Sequence, residues 1–153
     1  MMILDLDLLR FQPSLKVKRG EEGQKLIFDA VRRKWLVLQP EEMVRQLFYC
    51  YLTDELGYSK NRVAMERGLK VNTLQRRFDL LVYDKALSPF MLIECKAPQV
   101  KISQETFDQV SWYNTTLKVK YLVVTNGLHT YCCWLDYAQK SFVYLDQLPL
   151  QPD

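Results

Sequence analysis

Hydrophobic and polar residues follow two rhythms along this chain, and each change of rhythm marks an element. SLKVKR (14–19) and KLIFDAV (25–31) flank the turn-like stretch from Gly20 to Gly23 and predict an N-terminal β-hairpin over 14–31. RRKWLVLQ (32–39) then leads to Pro40. From there the period is helical: Val44, Leu47, Phe48, Tyr51, Leu52 and Leu56 recur at three- and four-residue spacing, and Gly57 stops them. Pro40 suits a first helical turn, where its missing N–H costs nothing. Strands are predicted at 62–71, 74–84 and 89–96, the last two joined by the turn from Asp84 to Pro89. Ser103 can cap a helix reaching Leu117, after which 120–126, 129–135 and 141–145 read as strands. Pro149 and Pro152 mark a frayed tail over 146–153. The order ββ-α-βββ-α-βββ predicts the α/β (α+β) class, with helices flanking a central mixed sheet.

Composition narrows this picture without changing it. A chain of 153 residues, 48% hydrophobic and 25% charged, suits one domain, residues 1–153, with its own core. Four cysteines without a C-x-x-C pair, and a single histidine, His129, argue against a zinc site. Cys132 and Cys133 should point to opposite faces of a strand, so a reducing compartment fits better than a disulfide framework. The N-terminus lacks the basic region of a signal peptide and no apolar run approaches membrane-spanning length, so the expectation is a soluble cytoplasmic protein. The net charge of +3 permits a nucleic-acid partner without requiring one.

The candidate chemistry lies in FMLIECK (90–96), which sets Glu94 and Lys96 two residues apart on one face of a strand. In an antiparallel hairpin with Asp84 opposite Pro89, stepping back in register brings Asp79 across from Glu94. Opposed residues have Cβ atoms about 4.5–5.5 Å apart. Two such carboxylates repel unless protonated or paired, and a divalent cation removes the repulsion. Bound water then becomes more acidic, and a phosphate can enter the remaining positions. Lys96 could orient or deprotonate the attacking water, or neutralise charge developing on the phosphate. A Glu-x-Lys triplet alone is weak and could be a surface salt bridge. The apolar flanks of Glu94 place it instead on a central strand, and Asp79 in register strengthens the site reading.

A third carboxylate follows from helical geometry. Glu41 continues the stripe of Val44, Phe48 and Leu52, whereas Glu42 falls with Arg45, Gln46 and Tyr49 on the more polar side. Glu41 is therefore expected to face Asp79 and Glu94, reaching a metal through water, and Glu42 to be an exposed first-turn acid.

The ordered set LQPEEMVRQ (38–46), RRFDLLV (76–82), LIECKAP (92–98), Gln109 with Tyr113 and Asn114, and YLVVTNG (121–127) resembles the N-terminal nuclease domain of type I restriction enzyme R subunits, within the PD-(D/E)xK nucleases. The resemblance covers roughly residues 27–130. It implies a restriction-endonuclease-like αβββαβ core and Mg²⁺-dependent cleavage of DNA, with Mn²⁺ able to substitute. By the same resemblance Asp79 and Glu94 are metal ligands, Lys96 is the catalytic lysine, Glu41 matches the helix glutamate, and Gln109 with Tyr113 fits a Q-x-x-x-Y motif. Phe78 stands where the superfamily's name has Pro, a change outside the chemistry. No Walker-type phosphate loop occurs, so the resemblance does not extend to the helicase motor of R subunits.

Cations near the hairpin and its neighbours, among them Arg32, Arg33, Lys34, Arg76 and Arg77, could contact DNA, with Trp35 offering a stacking surface. A solvated charged face explains them equally well. The expected function is a Mg²⁺-dependent DNA nuclease domain, with restriction or repair subunits as partners and a homodimer compatible with the sequence. The alternative is a non-catalytic nucleic-acid-binding or assembly module on the same fold.

Overall fold

The computed structural model describes residues 1–71 and 74–152, and the side chains of all of these except 66–71, 74–77, 113 and 115. The chain opens with an antiparallel meander of β1 (Val17–Arg19), β2 (Lys25–Asp29) and β3 (Lys34–Val37). The predicted hairpin thus gains a third strand. Arg33, at φ 55°, turns the chain back, and Trp35 packs edge-on against Phe28 with ring centroids 5.3 Å apart. Helix α1 (Pro40–Cys50) follows with Pro40 in its first turn, widens into a π-helical turn over Tyr51–Glu55, and stops at Gly57, whose φ is +73°.

The remaining strands form one six-stranded sheet in sequence order: β4 (Val63–Val71), β5 (Leu74–Tyr83), β6 (Pro89–Cys95), β7 (Tyr121–Thr125), β8 (Thr130–Asp136) and β9 (Ser141–Leu145). All neighbours are antiparallel except β6 and β7, which helix α2 (Gln104–Leu117) connects as a parallel crossover. Ser103 caps α2 in a reciprocal box with Thr106, and Lys118, in the left-handed region, closes its other end. The mixed α+β architecture is therefore the expected one.

Alternating strand residues build a core on each face of the sheet. Val44, Leu47, Phe48 and Leu52 of the α1 segment meet Leu80, Val82, Met91, Ile93 and Val123 on one side. Phe107 and Val110 of α2 meet Leu81, Leu92, Leu122 and Val124 on the other. Cys132 joins the first cluster and Cys133 the second, and both thiols are free.

The termini are tied down more firmly than expected. Leu4 donates its N–H to Thr130 O at 2.8 Å, and Leu4 and Leu8 are buried. At the other end Leu148 is buried, Tyr58 Oη donates to Pro149 O, and Arg62 Nη1 donates to Pro152 O at 3.1 Å. Residues 146–152 are thus a strap, not a frayed tail: their prolines prevent regular structure but leave carbonyls free to accept hydrogen bonds. No helix among the described residues is long and apolar enough to cross a membrane.

The β7–β8 turn meets α1 closely. Gly127 has φ +89°, and a Cβ built on it would lie 3.1 Å from Val44 Cγ2. Gly127→Ala should lower stability by about 1–3 kcal/mol, through left-handed strain and pressure on Val44. Thermal melts of the single and Gly127→Ala/Val44→Ala proteins check this. The double variant should lose less than the sum of the two single variants, because the steric pressure is gone while the backbone strain stays.

Candidate active site

The site forms where two paired strands part. Leu80, Leu81 and Val82 of β5 stand opposite Ile93, Leu92 and Met91 of β6, the expected register, although a bulge at the turn sets Tyr83 rather than Asp84 against Pro89. Pairing ends at Leu80 and Ile93, so Asp79 and Glu94 are the next two positions, at the mouth of a fork. Phe78 belongs to the α2-side core and Leu80 to the α1-side core, so alternation breaks at Asp79. The freed side chain takes over bonding that the ladder has given up. Asp79 Oδ2 accepts the Cys95 N–H at 2.8 Å, and Oδ1 accepts Arg45 Nη2 at 2.7 Å and Nε at 3.2 Å.

Glu94 lies in the same fork, near enough to feel the Asp79 charge, with its Oε1 3.3 Å from Lys96 Nζ. Burial first, and the Asp79 charge second, push the Glu94 pKa up to about 8 despite the lysine. Burial works against the Lys96 ammonium, but the carboxylates of Glu94, Glu41 and Asp79 raise its pKa above the ordinary lysine value. Burial likewise opposes the charge on Arg45, yet Asp79 and Glu42 hold its proton more tightly than usual. Asp79, Glu94 and Lys96 thus share one small volume, with a backbone N–H and a guanidinium fixing the first of them.

The first turn of α1 departs from expectation. The Glu42 side chain is 9% exposed and that of Glu41 is 48% exposed. Glu42 is therefore not a solvated acid. Its Oε2 accepts from Arg45 Nη1, and its Oε1 accepts from Gln46 Nε2 at 3.2 Å and Arg32 Nη2 at 3.3 Å. Arg32 in turn pairs with Asp29, a fully buried residue of β2. The reason is the meander, which covers the helix flank that carries Glu42, Arg45, Gln46 and Tyr49. Glu41 instead rims an open cleft of about 290 Å³ lined by Leu36, Val37, Gln39, Glu42 and Arg45. Its Oε1 lies 3.5 Å from Arg45 Nη2, and its charge reaches Lys96.

Arg45 was not expected from sequence as a site residue. The signal was present: Glu42, Arg45 and Gln46 stand at i, i+3 and i+4, a spacing that lets three polar side chains bond on one helix face. Gln109 is exposed on α2, whose apolar side packs on the face of the sheet that also carries Val124, the register partner of Glu94. The side chains of Arg76, Arg77 and Tyr113 lie outside the described residues. The His129 N–H donates to Asn126 Oδ1 at 2.7 Å within the β7–β8 turn. Among the described residues no group of three His, Cys, Asp or Glu side chains is placed to hold a metal ion.

The family model for the type I restriction enzyme R protein N terminus (HSDR_N) matches residues 40–149, and the chain belongs to this family. Its fold is similar to the fragment structure of a protein described as an HsdR subunit of a type I restriction enzyme from Vibrio vulnificus YJ016, with TM-score 0.52 and 19% identity. The match covers 73% of this chain and 24% of that one, so the chain spans about a quarter of that protein. No curated protein matches the chain.

The raised Glu94 pKa carries a stability signature. Without a cation, the folded protein keeps this proton between the ordinary value of 4.5 and about 8, a range in which the unfolded chain has released it. The stability that Glu94 contributes is complete below 4.5 and is lost as pH rises through about 8. Melting in EDTA at pH 5, 7 and 9 should show a decline that is shallower in Glu94→Gln. Equal slopes in the two proteins would count against the assignment.

Proposed function

We propose that this chain is a divalent-cation-dependent nuclease domain that hydrolyses DNA phosphodiester bonds as part of a restriction system. The observation that carries the reading is the fork itself: Asp79 and Glu94 at its mouth, Lys96 at 3.3 Å from Glu94, and an open cleft lined by Arg45, the partner of Asp79. A buried acid pushed up to about 8 partly by a second acid is poorly matched to a cation-free state, and hard oxygen donors at this spacing suit Mg²⁺ or Mn²⁺. Two carboxylates are enough, because Mg²⁺ commonly takes one or two and keeps water elsewhere. When bound, the ion would acidify a water molecule and withdraw charge from the scissile phosphate.

The chain's own groups have distinct work around that ion. Asp79 and Glu94 are the proposed ligands, and the Cys95 N–H and Arg45 hold Asp79 in orientation. Lys96, 3.3 Å from Glu94, is placed to orient or deprotonate the attacking water and to offset negative charge on the phosphate. Glu41, half-exposed on the rim, accepts a hydrogen bond from water in the cleft. Gln109, Tyr113, Arg76 and Arg77 are the proposed DNA contacts. By likeness to type I enzymes, the other partners are subunits of the same complex, in the cytoplasm.

The rival reading, a binding or assembly module without turnover, draws on the Arg45–Asp79 pair, which satisfies Asp79 with no cation present. Plasmid nicking in Mg²⁺, Mn²⁺ or EDTA separates the two. Cleavage should require a divalent cation and vanish in Lys96→Ala, while calorimetric Mn²⁺ binding survives in that variant and is lost in Asp79→Asn and Glu94→Gln. Cleavage by Lys96→Ala at the normal rate would refute the role given to the lysine.

The two neighbouring glutamates should separate activity from stability. Glu41→Gln should slow cleavage by roughly 10²-fold, the range of a lost positioning or acid–base group, with little change in melting temperature. Glu42→Gln should instead cost about 1–3 kcal/mol of stability by weakening a buried hydrogen-bonded pair. Single-turnover cleavage and thermal melts of both variants give the comparison.

A further inference from the structure

The meander β1–β3 lies before residue 40, where the family match begins, and it has two unlike faces. Register places Val17, Ile27 and Leu36 on one face, with Ile27 fully buried. The other carries Lys18, Leu26 and Val37 in one row and Phe28 with Trp35 in the next. Trp35 is 37% exposed and Val37 54% exposed, so this face looks outward. Lys18 Nζ stands 4.1 Å from the Trp35 ring centroid, and Lys16 Nζ stands 5.4 Å from that of Phe28.

Charge accumulates on this segment. Residues 16–37 contain seven Lys and Arg against three acids, a surplus of four beside a net of +3 for the whole chain. A cavity of about 270 Å³ beside Phe28 is lined by Lys16, Arg33 and Lys60, with no carboxylate in its wall among the described residues. None of these three cations takes part in a salt bridge among the described residues. The far end of the same surface reaches the cleft of Glu41 and Arg45, which Val37 also lines.

We propose that the outer face of the meander binds a single strand of nucleic acid, with bases against Trp35 and Phe28 and phosphates on Lys16, Lys18, Arg33 and Lys60. Flat aromatic rings on an open sheet offer stacking to unpaired bases, which a duplex keeps to itself. An exposed lysine above a ring is a weak, displaceable partner, and it can move to a neighbouring phosphate when a base takes its place. The course past Val37 delivers the strand to the cleft. The inference builds on the nuclease reading only in taking the polymer to be nucleic acid.

Fluorescence anisotropy of labelled oligo(dT) in EDTA tests it, with the matched duplex beside it. Wild type should bind the single strand more tightly than the duplex. Trp35→Ala should weaken oligo(dT) binding roughly five- to a hundred-fold, the change carried by one base stack, and Trp35→Phe should recover most of it. Lys16→Gln/Lys18→Gln, both at exposed positions, should flatten the plot of log affinity against log salt by about 0.7 for each phosphate that is no longer neutralised. Unchanged affinity in both the Trp35 variants and the lysine pair overturns the proposal. So does light scattering that shows a dimer abolished by Trp35→Ala, since the face then serves a second copy. Binding is read without cleavage, so an inactive protein with Trp35-dependent affinity sustains this inference, and an active one without it sustains only the nuclease reading.

Discussion

A guanidinium with almost no solvent around it has to be enclosed by carboxylates, and Arg45 is met from two directions: by Asp79 of β5 and by Glu42 of its own helix. Desolvating such a charge is costly, and removing either partner would leave the remainder buried and uncompensated. The restriction spreads outward from there. Glu42 also takes Arg32, Arg32 takes Asp29, and the meander is thereby fixed to the first turn of α1. Inward, Arg45 sets where the Asp79 carboxylate points, and Asp79 in turn holds the Cys95 N–H on the strand that carries Glu94 and Lys96. One side chain thus links the N-terminal sheet to the geometry of the fork.

Much of this site is visible in local spacing. Asp79, Glu94 and Lys96 come together because a hairpin register and a two-residue strand period are short-range rules, and a bulge at the turn did not disturb the register beyond it. The start of α2 is legible because Ser103 marks it chemically, through its capping box with Thr106. What escaped was everything that depends on a second neighbour. Helical periodicity assigns a polar flank to solvent when only one packing partner is imagined. Glu42, Arg45 and Gln46 have two, since the six-stranded sheet and the meander both press on α1. The third strand of the meander and the anchored C-terminal strap were missed for a related reason. Each is set by distant contacts, Trp35 on Phe28 and Pro149 on Tyr58, that no local signal announces.

The fork also explains why a buried carboxyl persists next to another. A continuous ladder between β5 and β6 would tie up the Cys95 N–H and leave the two acids without room to diverge. Ending the pairs at Leu80 and Ile93 trades backbone bonds for one side-chain bond from Asp79, and opens space on the Glu94 side. Lys96 keeps its own backbone order through the other edge of β6, where its N–H donates to Thr125 O at 2.8 Å.

That last bond has a consequence for how the site is assembled in time. Asp79 and Glu94 belong to a hairpin closed by a short turn, so their approach costs little chain entropy and can occur early in folding. Lys96 is registered against β7, which arrives only after the whole α2 crossover has been laid down. Of the joins in this sheet, the parallel β6–β7 seam closes the longest loop and so carries the largest chain-entropy cost. Fluctuations that loosen it would release the lysine while the carboxylates stay together, so native-state hydrogen exchange at Lys96 would report the integrity of the site on a different timescale from exchange at Leu81 or Leu92.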